Sequence, residues 1–426
     1  GGGIGGLCLA VALQRYADIH VDLYESTGRF SEIGAGVMLW SRTWHILSSL
    51  GLASELSRCA HAPPTDSPGV GFDFRKSDQP REGSRFYLFE LPYGCIRFHR
   101  AHFLDVLVDR LDEGVAHFGK RLLQYSHQGD MKPLQLHFAD GSIAECDLLV
   151  GCDGIKSTVR KQFLEEQARD GRPELLDLID PVFTGTIAYR GLIPVHRLTR
   201  ADGTQHRTVG TPMMVCRDTV MISLQHVVSY SISQGSVVNV VAFASRPEQE
   251  GSKYEDPWVT ECTKHEVLDC YDGWEPEVGE LLECIENPTR WAIHALRPLP
   301  VYAANNVVLL GDAAHAMCPH QGAGAGQAIE DAYILAGLLG HTATTRTTLP
   351  KALAAYERVR LLLANHILKG SRESGRLYEF IEVVDEISWS SLGERIGAQW
   401  DWLAATSPES EFERAIRWLQ RELGQL

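Results

Sequence analysis

Glycines at positions 1, 3 and 6 form a G-x-G-x-x-G run, and Glu25 follows the apolar segment His20-Val21-Asp22-Leu23-Tyr24. Such glycines let a backbone approach a pyrophosphate, and the helix that follows offers unpaired N–H groups. An acid about 20 residues further on accepts ribose hydroxyls. This chemistry is dinucleotide binding, and alone it does not separate FAD from NAD. The Glu25 carboxylate would repel a 2′-phosphate, which argues against NADP in this slot.

Two further units narrow the choice. Asn306-Val307-Val308-Leu309-Leu310 reads as a buried strand ending in Gly311-Asp312, followed by His315, Pro319, His320, Gly322, Gly324 and Gly326 and then an apolar-periodic helix over 327–339. A carboxylate at a strand end suits a polyol such as ribityl, and a glycine-rich loop offers N–H groups to the electron-rich edge of a flavin. Between the two units, Asp147-Leu148-Leu149-Val150-Gly151-Cys152-Asp153-Gly154 reads as a strand and turn, with a helix start at Ser157-Thr158-Val159-Arg160. Asp312 as a helix cap and Asp153 as a turn residue are the structural alternatives. Chance explains any one unit more easily than all three in this order, and a plain NAD dehydrogenase needs no second unit.

These residues resemble the group A flavoprotein monooxygenases over nearly the whole chain, and within them the salicylate hydroxylase-like enzymes, including fungal hydroxylases that dearomatise resorcinol-type substrates. Supporting stretches are Glu32-Ile33-Gly34-Ala35-Gly36, His99-Arg100-Ala101-His102-Phe103-Leu104, Ala188-Tyr189-Arg190-Gly191, Trp291-Ala292-Ile293 and Tyr356-Glu357-Arg358-Val359-Arg360. The resemblance implies FAD as cofactor, NADH or NADPH as co-substrate, and a flavin C4a-hydroperoxide that attacks a small electron-rich phenol. It implies that Glu25 binds the adenosine ribose, Asp312 the ribityl chain, and Asp153-Gly154 the pyrophosphate region and the nicotinamide's approach. Arg100 would also touch FAD, and Pro319 with Gly322 and Gly324 would line the inner flavin position. Arg190 and Tyr230 match positions used for phenolate binding in the dearomatising relatives, and a planar guanidinium beside a phenolic hydroxyl suits a carboxylate or phenolate. A structural ion pair and a plain core aromatic are the alternatives for these two.

His226 is a candidate proton relay, whereas packed or solvent-facing roles are the simpler expectation for it, His315 and His320. Two departures from the family pattern stand out: Ser231 where a proline is expected after Tyr230, and Leu39-Trp40-Ser41-Arg42 where a Pro-Asn-like pair is usual. Contacts near the flavin ring are open on that side.

The elements that must hold these residues follow from pattern. The fold class is α/β: a Rossmann-type FAD-binding domain from 1–62, 97–165 and 285–350, a discontinuous antiparallel-sheet substrate domain from 63–96 and 166–284, and a helical C-terminal region from 351–426. Alternating runs at 184–189, 220–228 and 237–244, with turns at Gly203, Gln234-Gly235 and Asp272-Gly273, carry the sheet. Helices are expected over 351–380 and 411–423. The tail's Trp389, Trp400, Trp402 and Trp418 pack on the flavin domain or meet a second subunit as a homodimer.

With 426 residues and 44% hydrophobic content, the chain can bury more than one domain's core. A net charge of -15 gives no positive field for nucleic acid or anionic lipid. The ten cysteines form no C-x-x-C pair, and no metal site is expected. The apolar opening at 4–13 is too short to span a bilayer, so the protein reads as cytoplasmic. The chain starts inside its first motif, where an apolar strand is expected, and the sequence reads as clipped there.

The expected reaction is hydroxylation, with or without decarboxylation, of a small phenolic such as salicylate. Dearomatising hydroxylation of a resorcinol-type polyketide is one alternative, and a lipid epoxidase is weakened by a polar tail. A catalytically silent flavin-binding protein is the alternative of another class.

Overall fold

The computed structural model describes residues 1–30, 36–77, 83–129, 132–217, 224–381 and 389–425. Two stretches used above, Glu32 to Ala35 and the run that opens at Val220, fall wholly or partly outside these.

The first helix, α1 (Ile4–Leu13), is buried at every position, as an all-apolar helix must be. The nucleotide half also holds α2 (Ser41–Ser49), α3 (Thr158–Arg169) and α4 (Gly324–Leu339), of which α4 packs on α1. Strand Leu149–Gly151 pairs in parallel with Val307–Leu309, and Leu310 N continues the ladder to Gly151 O at 3.0 Å. Parallel pairing of strands so distant in sequence requires helical crossovers, which is how the units at 153 and 312 come to open on one side. The strand expected over His20–Tyr24 pairs only at Leu23–Tyr24, because His20 is exposed and its imidazole meets the Asp22 carboxylate instead of a core.

The second half is one eight-stranded sheet. Its strands are β1 (Pro68–Lys76), β2 (Ser84–Pro92), β3 (Val182–Pro194), β4 (Met213–Arg217), β5 (Leu224–Ile232), β6 (Val237–Ser245), β7 (Val259–Glu261) and β8 (Thr289–Ala295), in the order β7-β8-β3-β6-β5-β4-β1-β2. Pairing is antiparallel except for β1 with β4. β8 lies beyond residue 285, where spacing alone puts the return to the flavin domain, so the sheet takes in 289–295.

The two sheet faces differ. One carries Tyr189, Ile193, Val215, Val227, Val240 and Ala242 into an apolar core closed by helices Lys264–Cys270 and Pro276–Glu283. Beyond the alternating runs that end at 244, these two segments carry apolar residues at helical spacing (Val278, Leu281, Leu282) and close the back of the sheet. The other face, with Ala188, Met214, Cys216, Val228, Tyr230 and Phe243, packs against Met38, Trp40 and Ala323 of the nucleotide half.

The long helix α5 (Leu349–Tyr378) and the C-terminal α6 (Pro408–Glu422) start two or three residues before the expected bounds, α6 at a Ser407/Ser410 capping box. Trp400 and Trp402 join the sheet's core, Trp400 meeting Trp40 at a centroid distance of 4.6 Å and Phe89 at 5.0 Å. Among the described residues, no helix is long and apolar enough to cross a membrane.

Candidate functional site

The glycine fingerprint closes on itself. A Cβ at Gly6 would lie 2.1 Å from Gly1 O, so no side chain fits there, while Gly3 faces open space. Glu25 reaches this loop: its Oε2 accepts from Gly2 N at 2.8 Å, and its Oε1 accepts from Thr27 N at 2.8 Å and Thr27 Oγ1 at 2.9 Å. Partial burial opposes its charge, yet these hydrogen bonds outweigh it and hold the carboxyl below its ordinary range.

Asp153 is taken up locally. Its carboxylate accepts from Ser157 Oγ, from Thr158 N at 2.8 Å and from Val159 N at 3.1 Å, which secures the first turn of α3. The side chain stays exposed beside Gly154, whose φ of +78° favours glycine.

The loop after the last strand is held from behind. Gly311 adopts φ 61°, and its N–H donates to Asp331 Oδ2 at 2.9 Å. His315 Nε2 lies 2.6 Å from the same oxygen, so His315 is a buried strut. Asp312 and Pro319 on this loop are exposed although their neighbours are buried, and Gly322 is left-handed at φ 57°. Neither α1 nor α4 has a side-chain hydrogen bond capping its N-terminus. Two helix starts with unclaimed N–H groups, an open glycine and two exposed loop residues form a cradle of the kind a dinucleotide with a pyrophosphate needs.

Opposite this cradle, the sheet presents Arg190, Tyr230 and His226 on one face. Registers place Arg190 across from Val241, Val241 from Val228, and Tyr230 two residues along β5 on the same side, with His226 two residues the other way. Arg190 lies over the Trp291 ring at 4.7 Å, and among the described residues its guanidinium has no carboxylate or hydrogen-bond partner. Burial pulls its pKa down, the Tyr230 hydroxyl pulls it back, and the charge of Arg100 lowers it further. Arg100, first residue of the helix Arg100–Val108, therefore adds positive charge to the same region. Tyr230 is buried and packs against Gly36, where an added Cβ would meet its Oη at 2.6 Å.

His226 is fully buried and stacked on Phe243, with ring centroids 4.5 Å apart. Its Nδ1 lies 3.0 Å from Glu379 Oε1, its Nε2 has no partner among the described residues, and burial pushes its pKa down to about 3. His320 stands 5.2 Å away with Nδ1 unpartnered and is likewise lowered to about 3 by burial, with His226 adding to the effect. His320 thus joins this buried group and is not solvent-facing. Glu379, at the end of α5, was not visible as a candidate because no motif surrounds it. Arg42, at the position that departs from the family pattern, turns away from the loop to Glu330 and Glu411, while Trp40 Nε1 donates to Gln321 O at 3.1 Å.

Residues 1–185 and 277–371 match the FAD binding domain family. A salicylate hydroxylase of Pseudomonas putida is 39% identical over 409 residues, covering 95% of this chain and 90% of that protein. A 6-methylsalicylate 1-monooxygenase of Aspergillus terreus is 36% identical over 98% of this chain and 90% of its own. The solved structure of a salicylate hydroxylase substrate complex superposes with a TM-score of 0.83 at 32% identity, covering 97% of this chain and 96% of that one.

Proposed function

Because the chain belongs to the FAD binding domain family, as an FAD-dependent monooxygenase related to the salicylate hydroxylases, we propose that it hydroxylates a small phenolic acid of the salicylate type, with NADH or NADPH and O2 as co-substrates. The observation that carries the substrate class is Arg190, a cation with no anion partner among the described residues, on the sheet face turned toward the nucleotide half.

The residues present fit FAD. The glycines 1, 3 and 6 would admit its pyrophosphate, Glu25 its adenosine ribose, Asp312 its ribityl chain, and Gly322 and Gly324 the flavin edge, with Arg100 and Gly154 nearby and Pro319 at the ring. Bound there, FAD accepts electrons from the reduced nicotinamide and activates O2.

The protein's own part is to bind and ionise the phenol. Arg190 pairs with the carboxylate or phenolate oxygen in a charge-assisted contact, and the Tyr230 hydroxyl donates to the same oxygen. His226, neutral at physiological pH, offers a ring nitrogen to the phenolic proton. Removing that proton raises electron density at the ring carbon to be attacked. If that carbon carries a carboxylate, CO2 leaves; one oxygen atom enters the ring and the other departs as water. Trp291 and Phe243 keep the space apolar and limit water. Ten unpaired cysteines suit a reducing compartment, and we place the enzyme in the cytoplasm.

The test is flavin reduction by NADH and by NADPH against salicylate, hydroxybenzoates and acyl resorcinols, followed by mass spectrometry of the products. Salicylate should accelerate reduction and be converted with loss of CO2 and gain of one oxygen. Acceleration by no phenolic acid would overturn the substrate assignment.

A further inference from the structure

The buried group behind His226 supports a further step, which rests on the reading just given. Glu379 Oε1 receives a hydrogen bond from Ser245 Oγ at 2.7 Å as well as facing His226 Nδ1 at 3.0 Å, and Ser245 Oγ lies 2.9 Å from Thr186 Oγ1. Around the pair stand His320 and Cys318 on the loop, Tyr378 on α5, Cys216 on β4 and Tyr271 after the back helix. A small pocket reaches Glu379 and His320, bordered by Arg372 and Arg376; Arg372 pairs with Glu250, and Arg376 lies 3.8 Å from Glu373.

A neutral imidazole carries one N–H. If Glu379 is a carboxylate, it accepts from His226 Nδ1–H, and the unpartnered Nε2 keeps its lone pair. If Glu379 is a carboxylic acid, it donates to Nδ1 and the ring hydrogen moves to Nε2. We propose that Glu379 is a positioning residue whose protonation state selects which nitrogen of His226 is basic, so that the phenolic proton is accepted at Nε2 only when Glu379 is ionised. In that step the phenolic O–H bond breaks, the Nε2–H bond forms, and the Glu379 carboxylate balances the imidazolium. The proton then passes from Nδ1 to Glu379 and leaves by the pocket. Burial raises Glu379 to about 7, with His320 and Ser245 opposing it, which puts the switch near neutrality.

The experiment is 15N NMR of side-chain-labelled histidines in the oxidised holoenzyme without substrate, from acid to alkaline pH, with His226 assigned by its loss in His226→Gln. The hydrogen should sit on Nε2 at low pH and on Nδ1 at high pH, and Glu379→Gln should abolish this exchange. In parallel, the pH profile of substrate-accelerated flavin reduction should lose its inflection near 7 in Glu379→Gln and regain it in Glu379→Asp. An unchanging His226 tautomer in the unmutated enzyme would overturn the proposal, as would an unaltered pH profile in Glu379→Gln. If no phenol accelerates reduction in the unmutated enzyme, the substrate reading fails, and the NMR titration still decides the role of Glu379.

Discussion

Behind the loop from Gly311 to Gly324 lie two buried polar groups that differ in how completely they are paired. In one, Arg42 meets Glu330 at 3.1 Å and Glu411 at 2.9 Å, while Arg360 meets Asp331 at 2.8 Å, Glu330 at 3.1 Å and Glu411 at 3.4 Å. Each guanidinium has at least two carboxylates, and α2, α4, α5 and α6 are tied through them. In the other, among the described residues, Arg190 has no carboxylate, and His226 and His320 each keep an unpartnered ring nitrogen. His226 and His320 are as buried as Arg42 and Arg360, so burial alone does not separate structure from chemistry. Saturation does: a fully paired cluster has no capacity left for a ligand, whereas an unsatisfied buried group is retained against a desolvation cost.

The largest effect should come from the saturated cluster. Arg360→Met leaves Glu330 and Glu411 with Arg42 alone and Asp331 with no arginine, and removing one partner of a buried ion pair costs about 3–5 kcal/mol. Thermal unfolding should show that loss, and FAD retention should fall with it, because Asp331 holds Gly311 and His315 in place. If Arg360→Met unfolds like the unmutated protein and keeps its FAD, the cluster is not the scaffold of the loop.

Next is Glu379→Gln. Glu379 rises from an ordinary 4.5 to about 7, so between those values the folded chain holds a proton that the unfolded chain releases. Its contribution therefore falls as pH rises through that window and stays lost above 7. Removing the charge should stabilise the protein at pH 8 by on the order of 3 kcal/mol, with little change at pH 4. The histidines run the other way: His226 and His320 are lowered to about 3, so stability falls as pH drops from 6.5 toward 3. Unfolding curves at pH 4, 6 and 8 would separate the two.

Arg190→Gln reverses the pattern of Arg360→Met. With no ionic partner to strand among the described residues, it should leave the unfolding midpoint nearly unchanged, while losing about 1.5–3 kcal/mol of substrate binding, roughly 10- to 150-fold in kcat/KM. A large fall in stability would place Arg190 among the structural cations.

The sequence disclosed the nucleotide half better than the sheet, and the reason is locality. The fingerprint, Gly311-Asp312 and the left-handed Gly322 lie in short segments whose residue types are dictated by backbone geometry, and the structure brings them to one cradle. Arg190 and Tyr230 could be named from the pattern, but their shared face rests on the β3-β6-β5 register, a long-range pairing that one segment does not encode. Glu379 was invisible because it ends a long helix 153 positions from His226. Past the alternating runs local pattern is less telling: helices over 264–283 close the back face, and β8 rejoins the sheet beyond 284 through long-range pairing with β3. Asp153 sits in the turn its residue type suggests, and its carboxylate also secures the start of α3.

The smallest effect tests whether the unsatisfied face works as a unit. Tyr230 is buried beside Arg190, and burial raises its pKa while Arg190 opposes that rise, so its hydroxyl remains protonated at working pH and can only donate to an anion. Tyr230→Phe removes one neutral donor and leaves the ring packed against Gly36. About 0.5–1.5 kcal/mol should be lost, a factor of roughly 2 to 13 in kcat/KM, with the unfolding midpoint unchanged. In the Arg190→Gln background the same change should cost less if both groups hold one oxygen, because the shared anion is already poorly bound. Equal costs in the two backgrounds would mean that Tyr230 and Arg190 contact different parts of the substrate.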